Sequence, residues 1–395
     1  MLRFIVLVTL NYAWAAICPP YVVTYGLSRG YSQSQVSIGV SLEMFCLILG
    51  NVLWGRISDH FRTNKRIWML CMTIAAADVF FLFTSRSYGG FLAGFSLLGT
   101  VNGATGILMD TWVLKQLGND IAKYGRIRSF GAAGYAAAML AAGFIIKTRG
   151  YFALAAVSLM IWAAAVGIAL FLAEKPWETA EGTAGTPLKR KAGERETSGR
   201  RELFRDFLNR DYLLWLLLLF LAGMAIAPCN NLKIVILGKA GGDVSSQGLD
   251  GFLGCAVQFF LFFLVGKLGN LAPRRRMLIV TASISAGIVC YLTAASTLQV
   301  YLGTILIHGV YSIVNPATRE IVTKTVPGRS HTTAIGIGDT CYSHFSNMLI
   351  MTVSGTVSER FGLNIMLSVC LCIALAAVAL CAMTAGKGDA CGNSI

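Results

Sequence analysis

Charge is what this sequence has least of: Asp, Glu, Lys and Arg make up 13% of its 395 residues, about half the share that soluble domains carry. A soluble chain of this length needs a polar shell around its core, and too few polar side chains are present to build one. Acids are the scarcer sign, with 19 Asp and Glu against 33 Lys and Arg. That excess of base would suit nucleic acid, but the basic residues lie in short loops between apolar runs, so no nucleic-acid partner is expected. Only four histidines occur, and no Cys/His cluster has zinc-ligand spacing, so no metal site is indicated. The 11 cysteines lie mostly inside apolar runs with no CxxC, so they read as small packing residues and not as a disulfide framework. GxxxxGK[ST], HExxH and GxSxG are all missing, so neither an enzyme nor a cofactor is indicated.

Apolar residues fill the space, at 55% of the chain with a mean hydropathy of +0.65. They gather in runs of about 20 residues, the length at which a helix spans a bilayer. Helices satisfy their own backbone hydrogen bonds there. The runs are Phe4–Tyr25, Gln35–Trp54, Ile67–Thr84, Gly90–Leu114, Ile127–Ile146 and Tyr151–Ala173, then Tyr212–Leu232, Leu249–Leu268, Met277–Ala295, Tyr301–Val322, Thr332–Val357 and Leu363–Met383. This predicts an all-α membrane protein with twelve transmembrane helices in two six-helix halves, residues 1–173 and 211–395. The first run has the basic, apolar and small-residue order of a signal peptide. Eleven further spans and an even total favour reading it as the first membrane helix instead. With the chain start inside, the inner loops hold most of the 33 Lys and Arg, which places both termini in the cytoplasm of an inner (plasma) membrane.

Between the halves, Glu174–Arg210 is charged and Gly/Thr-rich, and reads as a flexible cytoplasmic linker. Its part Arg200–Leu208 has the pattern of a surface amphipathic helix. The cluster Lys189–Lys191 suits either anionic lipid or an ordinary solvated loop.

The chain is organised around the stretch from Asp110 to Tyr135, where two apolar runs meet through a short polar turn. Asp110 and Arg128 lie equally far on either side of Asn119, so antiparallel helices hold an acid and a base at one depth. Each charge costs about 2.5–3.5 kcal/mol near a bilayer centre and less toward its edge, so a pair or a function is expected. Two readings stand, a pair of interfacial charges at helix ends or a site for solute and coupling. The halves also echo each other as internal repeats do. Pro20 and Pro228 fall at matching depths of the first and seventh runs, and Glu43 follows Gly39 as Gln258 follows Gly254. A bend at Pro228 brings Asn230, Asn231 and Lys233 toward either an aqueous cavity or an ordinary helix end.

The loop GRISDHFRTNKR after the second run places Gly55 and Asp59 ahead of Arg62, Lys65 and Arg66. A glycine there allows close helix approach, and the aspartate can serve a helix N-terminus or a base, so Gly55, Asp59, Arg62 and Arg66 are a candidate conformational latch. The loop resembles the signature G-x-x-x-D-R-x-G-R-K/R of the major facilitator superfamily, with His60 in place of the first arginine and the second glycine missing. YGRIRSFGAAGY resembles the fifth-helix signature of two groups in that superfamily, the oligosaccharide/proton symporters around the lactose permease and the phenylpropionate permease-like proteins. The first resemblance implies that Asp110 and Arg128 pair and bind solute, and that Tyr135 stands where a tryptophan stacks on a sugar ring. It also matches His308 to a histidine. Tyr311 replaces the proton-carrying glutamate and Ile288 an arginine, so that proton route does not carry over.

The remaining proton-coupling candidates are Glu43, His308, Asp339 and His344. An acid in an apolar setting can take up and release a proton near neutral pH. Each histidine reads equally as a packed neutral ring, and Glu43 as a structural partner of a base. The sequence therefore predicts a monomeric secondary transporter that imports a small polar or amphipathic solute with protons. Oligosaccharides, nucleosides and aromatic acids all fit, with Asp110, Arg128, Tyr135, Asn230 and Asn231 at the site. The alternatives are a proton-driven exporter, disfavoured because GAAGYAAAMLAAGFII has no proline, and a membrane sensor or scaffold.

Overall fold

The computed structural model describes residues 1–118, 120–175, 206–268 and 271–388. The cluster Lys189–Lys191 and most of the surface helix expected from Arg200 lie outside them. Nine helices among the described residues are long and apolar enough to cross a membrane. One of these, Lys123–Leu170, has 48 residues and would be roughly 70 Å long if straight. It is two spans folded at Gly150, whose φ of 76° and ψ of 179° suit only glycine. Val244–Leu268 and the broken helix from His331 to Phe361 complete twelve spans in two six-helix halves.

Polar side chains set the ends of the spans. Ser32 and Gln35 form a capping box at the second, Thr63 caps the third through Arg66 N, and Asp120 caps the fifth through Lys123 N. Trp14, Trp68 and Trp112 are fully buried in the first half, with Trp215, Tyr212 and Tyr291 in the second.

Four spans are interrupted, the seventh beside the proline at which a bend was expected. The first breaks at Cys18 between Leu2–Ile17 and Pro19–Ser28, because two successive prolines remove the donors of the next turn. In the seventh, Arg210–Asn231 stops three residues after Pro228 and Lys233–Lys239 resumes. The tenth divides into Thr297–Gly309 and Tyr311–Thr325. The eleventh contains a π turn, Cys341–Phe345, a distortion common at functional sites.

With twelve spans, the first begins and the last ends on one face, the terminal face. The halves touch along the second and eleventh spans and along the fifth and eighth, and the polar contacts between them lie toward the far face. Ser34 donates to Glu359 through Oγ at 2.6 Å, Ser41 Oγ donates to the Met348 carbonyl at 2.8 Å, and Lys147 pairs with Asp243 at 2.7 Å. Glycine permits the contact: a Cβ on Gly355 would lie 2.2 Å from the Gln33 carbonyl, and one on Gly143 2.7 Å from that of Val244. At the terminal face the ion pairs Arg274–Asp211 and Arg276–Glu320 stay within the second half. Among the described residues, the halves are closed together at the far face and parted at the terminal face.

Candidate functional site

A cavity of about 310 Å³ lies between the halves. Glu43 and Tyr135 reach it from the first half, and Asn230, Asn231, Lys233, Asp250 and His308 from the second. A further 220 Å³ opens beside it within the second half, where Gln258, Tyr311, Tyr342, Ser343 and Asn347 join Asn230, Asn231 and His308. The breaks in the first and seventh spans adjoin this space, since Pro19, Pro20, Asn230 and Asn231 all line it. Discontinuous helices at a midplane site are a recurring device of transporters.

The second pocket carries amides, hydroxyls and aromatic rings, and no carboxylate or ammonium lines it. Asn231 Nδ2 donates to the Ala227 carbonyl at 2.8 Å and to Asn347 Oδ1 at 3.1 Å, which leaves its own oxygen available. Tyr311 and Tyr342 stand side by side with ring centroids 6.3 Å apart. Such a wall can hydrogen-bond a polyhydroxylated ring and cover its flat C–H face.

Glu43 is 3% exposed. Gly99 brings the fourth span against it, since a Cβ there would lie 2.3 Å from the Glu43 carbonyl. No base pairs with its carboxyl among the described residues. The second half holds a contrasting arrangement that the sequence reading missed in part. Lys233 and Asp250 are 4% and 3% exposed, with Nζ 3.6 Å from Oδ2. Lys233 also donates to Tyr291 Oη and, at 3.0 Å, to Thr304 Oγ1, which donates to Asp250 Oδ1 at 2.5 Å. Four spans are tied at this point. Asp250 could have been found as an acid at the second position of the eighth apolar run.

Asp110 and Arg128 do meet, with Nε 3.8 Å from Oδ2. Tyr12, which the sequence did not suggest, donates to both Asp110 oxygens at 2.9 Å and lies under the guanidinium, 3.6 Å from its ring centroid. Neither charge lines the central cavity. Arg128 is two turns from Tyr135 toward the terminal face, about 10 Å along the helix. Both side chains are about a third exposed, at 38% and 31%, as expected on the open side of the cavity.

His308 lines both spaces, and its ring packs on Gly254, where a Cβ would lie 2.9 Å from Nδ1. His344 sits on the π turn with Nδ1 buried and unpartnered, while Asp339 is exposed. Neither lines the central cavity. Of the expected latch, Asp59, Arg62 and Arg66 are exposed, and a Cβ on Gly55 would meet nothing within 4 Å. The close approach expected at Gly55 is therefore absent with the terminal face parted. Glu174 works beside the latch instead: its carboxylate accepts from Thr63 Oγ1 at 2.6 Å, Asn64 N at 2.7 Å and Lys65 N at 3.1 Å, capping the third span.

Twelve spans in two halves around a polar midplane cavity define a secondary transporter that moves small solutes across a membrane by the major facilitator architecture. The family model described as MFS_1 like matches residues 2–385, and the chain belongs to that family. It is similar to a maltose permease of Geobacillus stearothermophilus, 23% identical over 388 residues that cover 95% of this chain and 93% of the relative. The uncharacterized transporter YwbF of Bacillus subtilis (strain 168) is 22% identical over 336 residues, covering 83% and 79%. Among solved structures, the nucleoside transporter NupG superimposes with a TM-score of 0.78 at 17% identity, over 96% of each chain.

Proposed function

We propose that this protein is a monomeric proton-coupled importer of a neutral, hydroxyl-rich solute of oligosaccharide or nucleoside size, in the inner (plasma) membrane with both termini cytoplasmic. The observation that carries this reading is the pairing of an amide and hydroxyl pocket on one wall with an unpaired buried acid, Glu43, on the other. The pocket offers a sugar ring donors and acceptors without asking it to bring charge. An acid with no base beside it is costly to ionise in such a place, so it carries a proton until solute or water changes its surroundings.

In this reading, loading occurs with the far face open, and closure of the far face delivers the state described here. Asn230, Asn231 and Tyr135 hold the solute, while Tyr12, Asp110 and Arg128 form a polar step on its way to the cytoplasm. His308, Asp339 and His344 are secondary proton sites. The latch residues Gly55, Asp59, Arg62 and Arg66 come together when the terminal face closes. The names of the maltose permease and the nucleoside transporter support a hydroxyl-rich solute.

Uptake of labelled oligosaccharides, nucleosides and aromatic acids into cells expressing the protein tests the substrate class. Asn231→Leu removes an amide that would bond a solute hydroxyl, an interaction of about 1–3 kcal/mol. It should raise the KM for the transported class by about tenfold or more. Transport of aromatic acids alone, unchanged in Asn231→Leu, would refute the neutral-solute reading.

A further inference from the structure

A third cavity, of about 590 Å³, opens at the terminal face between the start of the third span and the end of the sixth. Arg62, Lys65, Arg66 and Lys175 line it together with Phe61 and Leu170, and Glu174 is its acid. The Glu174 carboxylate is already engaged by Thr63, Asn64 and Lys65, so its charge is directed at the helix end and the basic side chains dominate the opening. Lys65 Nζ donates to the Leu172 carbonyl at 2.5 Å; Arg62, Arg66 and Lys175 have no partner among the described residues. At its rim, Phe61, Leu170 and Phe171 are 65%, 63% and 82% exposed, an apolar surface at the membrane edge of a basic cavity.

The backbone adds an independent observation. Among the described residues Arg62 is the one non-glycine residue with positive φ, at 52°. This conformation strains an L residue and costs glycine nothing, and counting the signature from Gly55 puts its second glycine at this position. The conformation closes the second span, with Thr63 N donating to the Ser58 carbonyl at 3.2 Å, and the side chain carried at this cap is a guanidinium that lines the cavity.

We infer that this cavity binds the headgroup of an anionic phospholipid, with Arg62, Arg66 and Lys175 around the phosphate and the acyl chains along Phe61, Leu170 and Phe171. Basic pockets between membrane helices on this kind of face suit such headgroups. Because Arg62 and Arg66 belong to the loop expected to latch the terminal face, a bound headgroup holds the parted state.

The test is thermal unfolding and native mass spectrometry of the full-length protein in detergent with added phosphatidylglycerol, phosphatidylcholine or inorganic phosphate. Phosphatidylglycerol should raise Tm and remain bound, and the other two should not. Arg62→Gly relieves the backbone and deletes the guanidinium, so its Tm without lipid should equal or exceed that of the parent. Its affinity for phosphatidylglycerol should fall about fivefold, and that of Arg66→Gln likewise. Equal effects of the two lipids, a phosphate effect as large as that of phosphatidylglycerol, or unchanged lipid affinity in both variants would each overturn the inference.

Discussion

Lys233 and Asp250 show how much one buried pair can hold. Removing either partner strands the other's charge among Tyr291, Thr304 and the cavity wall, a loss of about 3–5 kcal/mol for buried pairs of this kind. Lys233→Met and Asp250→Leu should each lower the Tm of purified protein steeply, and the double variant should recover most of the loss. Equal loss in the double variant would mean that hydrogen bonds, and not charge balance, dominate the site. Some of these residues were legible in the sequence and some were not. Opposite charges at equal distance from a turn foretold the contact of Asp110 with Arg128, since antiparallel helices leave little freedom in depth. Tyr12 was hidden because its partner lies 98 positions away, and nothing local marks a tyrosine that will meet an acid. Glu174 was read as the first residue of a linker, although its contacts belong to the third span.

Helix pairs, not single residues, close the far face. The second and eleventh spans approach so closely at Gly355 that no other residue fits without displacing the backbone. Gly355→Leu should fold and reach the membrane yet fail to transport, and spin labels on Arg29 and Ser296 should lie farther apart than in the parent. An unchanged distance would show that this crossing does not control the gate. At the fifth and eighth spans, Lys147, then Ser245 Oγ and Ser246 N, hold the Asp243 carboxyl below its ordinary range. A group lowered in the closed state favours closure above its ordinary value, about pH 4, and that contribution is lost as pH falls further. Mild external acid should therefore leave the far face closed, as the same spin-label distance would report. Because the pair is exposed, salt should weaken it at neutral pH. Periodicity and composition announced the spans themselves, and Pro228 the bend just ahead of Leu232, but not the π turn at Cys341–Phe345, where packing around the cavity overrides the local preference for helix.

For the whole molecule, the twelve-helix plan was readable because a bilayer admits few solutions for a chain with so little charge. The pocket within the second half was not, since Asn231, Gln258, Tyr311 and Asn347 come from four spans and share no motif. Alternating access asks both halves to move about that site, and the account stands on solute and proton moving inward together through it with Glu43 as carrier. The most direct measurement is external pH in dense, de-energised cells expressing the protein, as a hydroxyl-rich solute is added. The account predicts alkalinisation on addition, and in Glu43→Gln its loss with solute exchange across the membrane retained. Solute entry without any pH change in the parent, or full alkalinisation in Glu43→Gln, would contradict it.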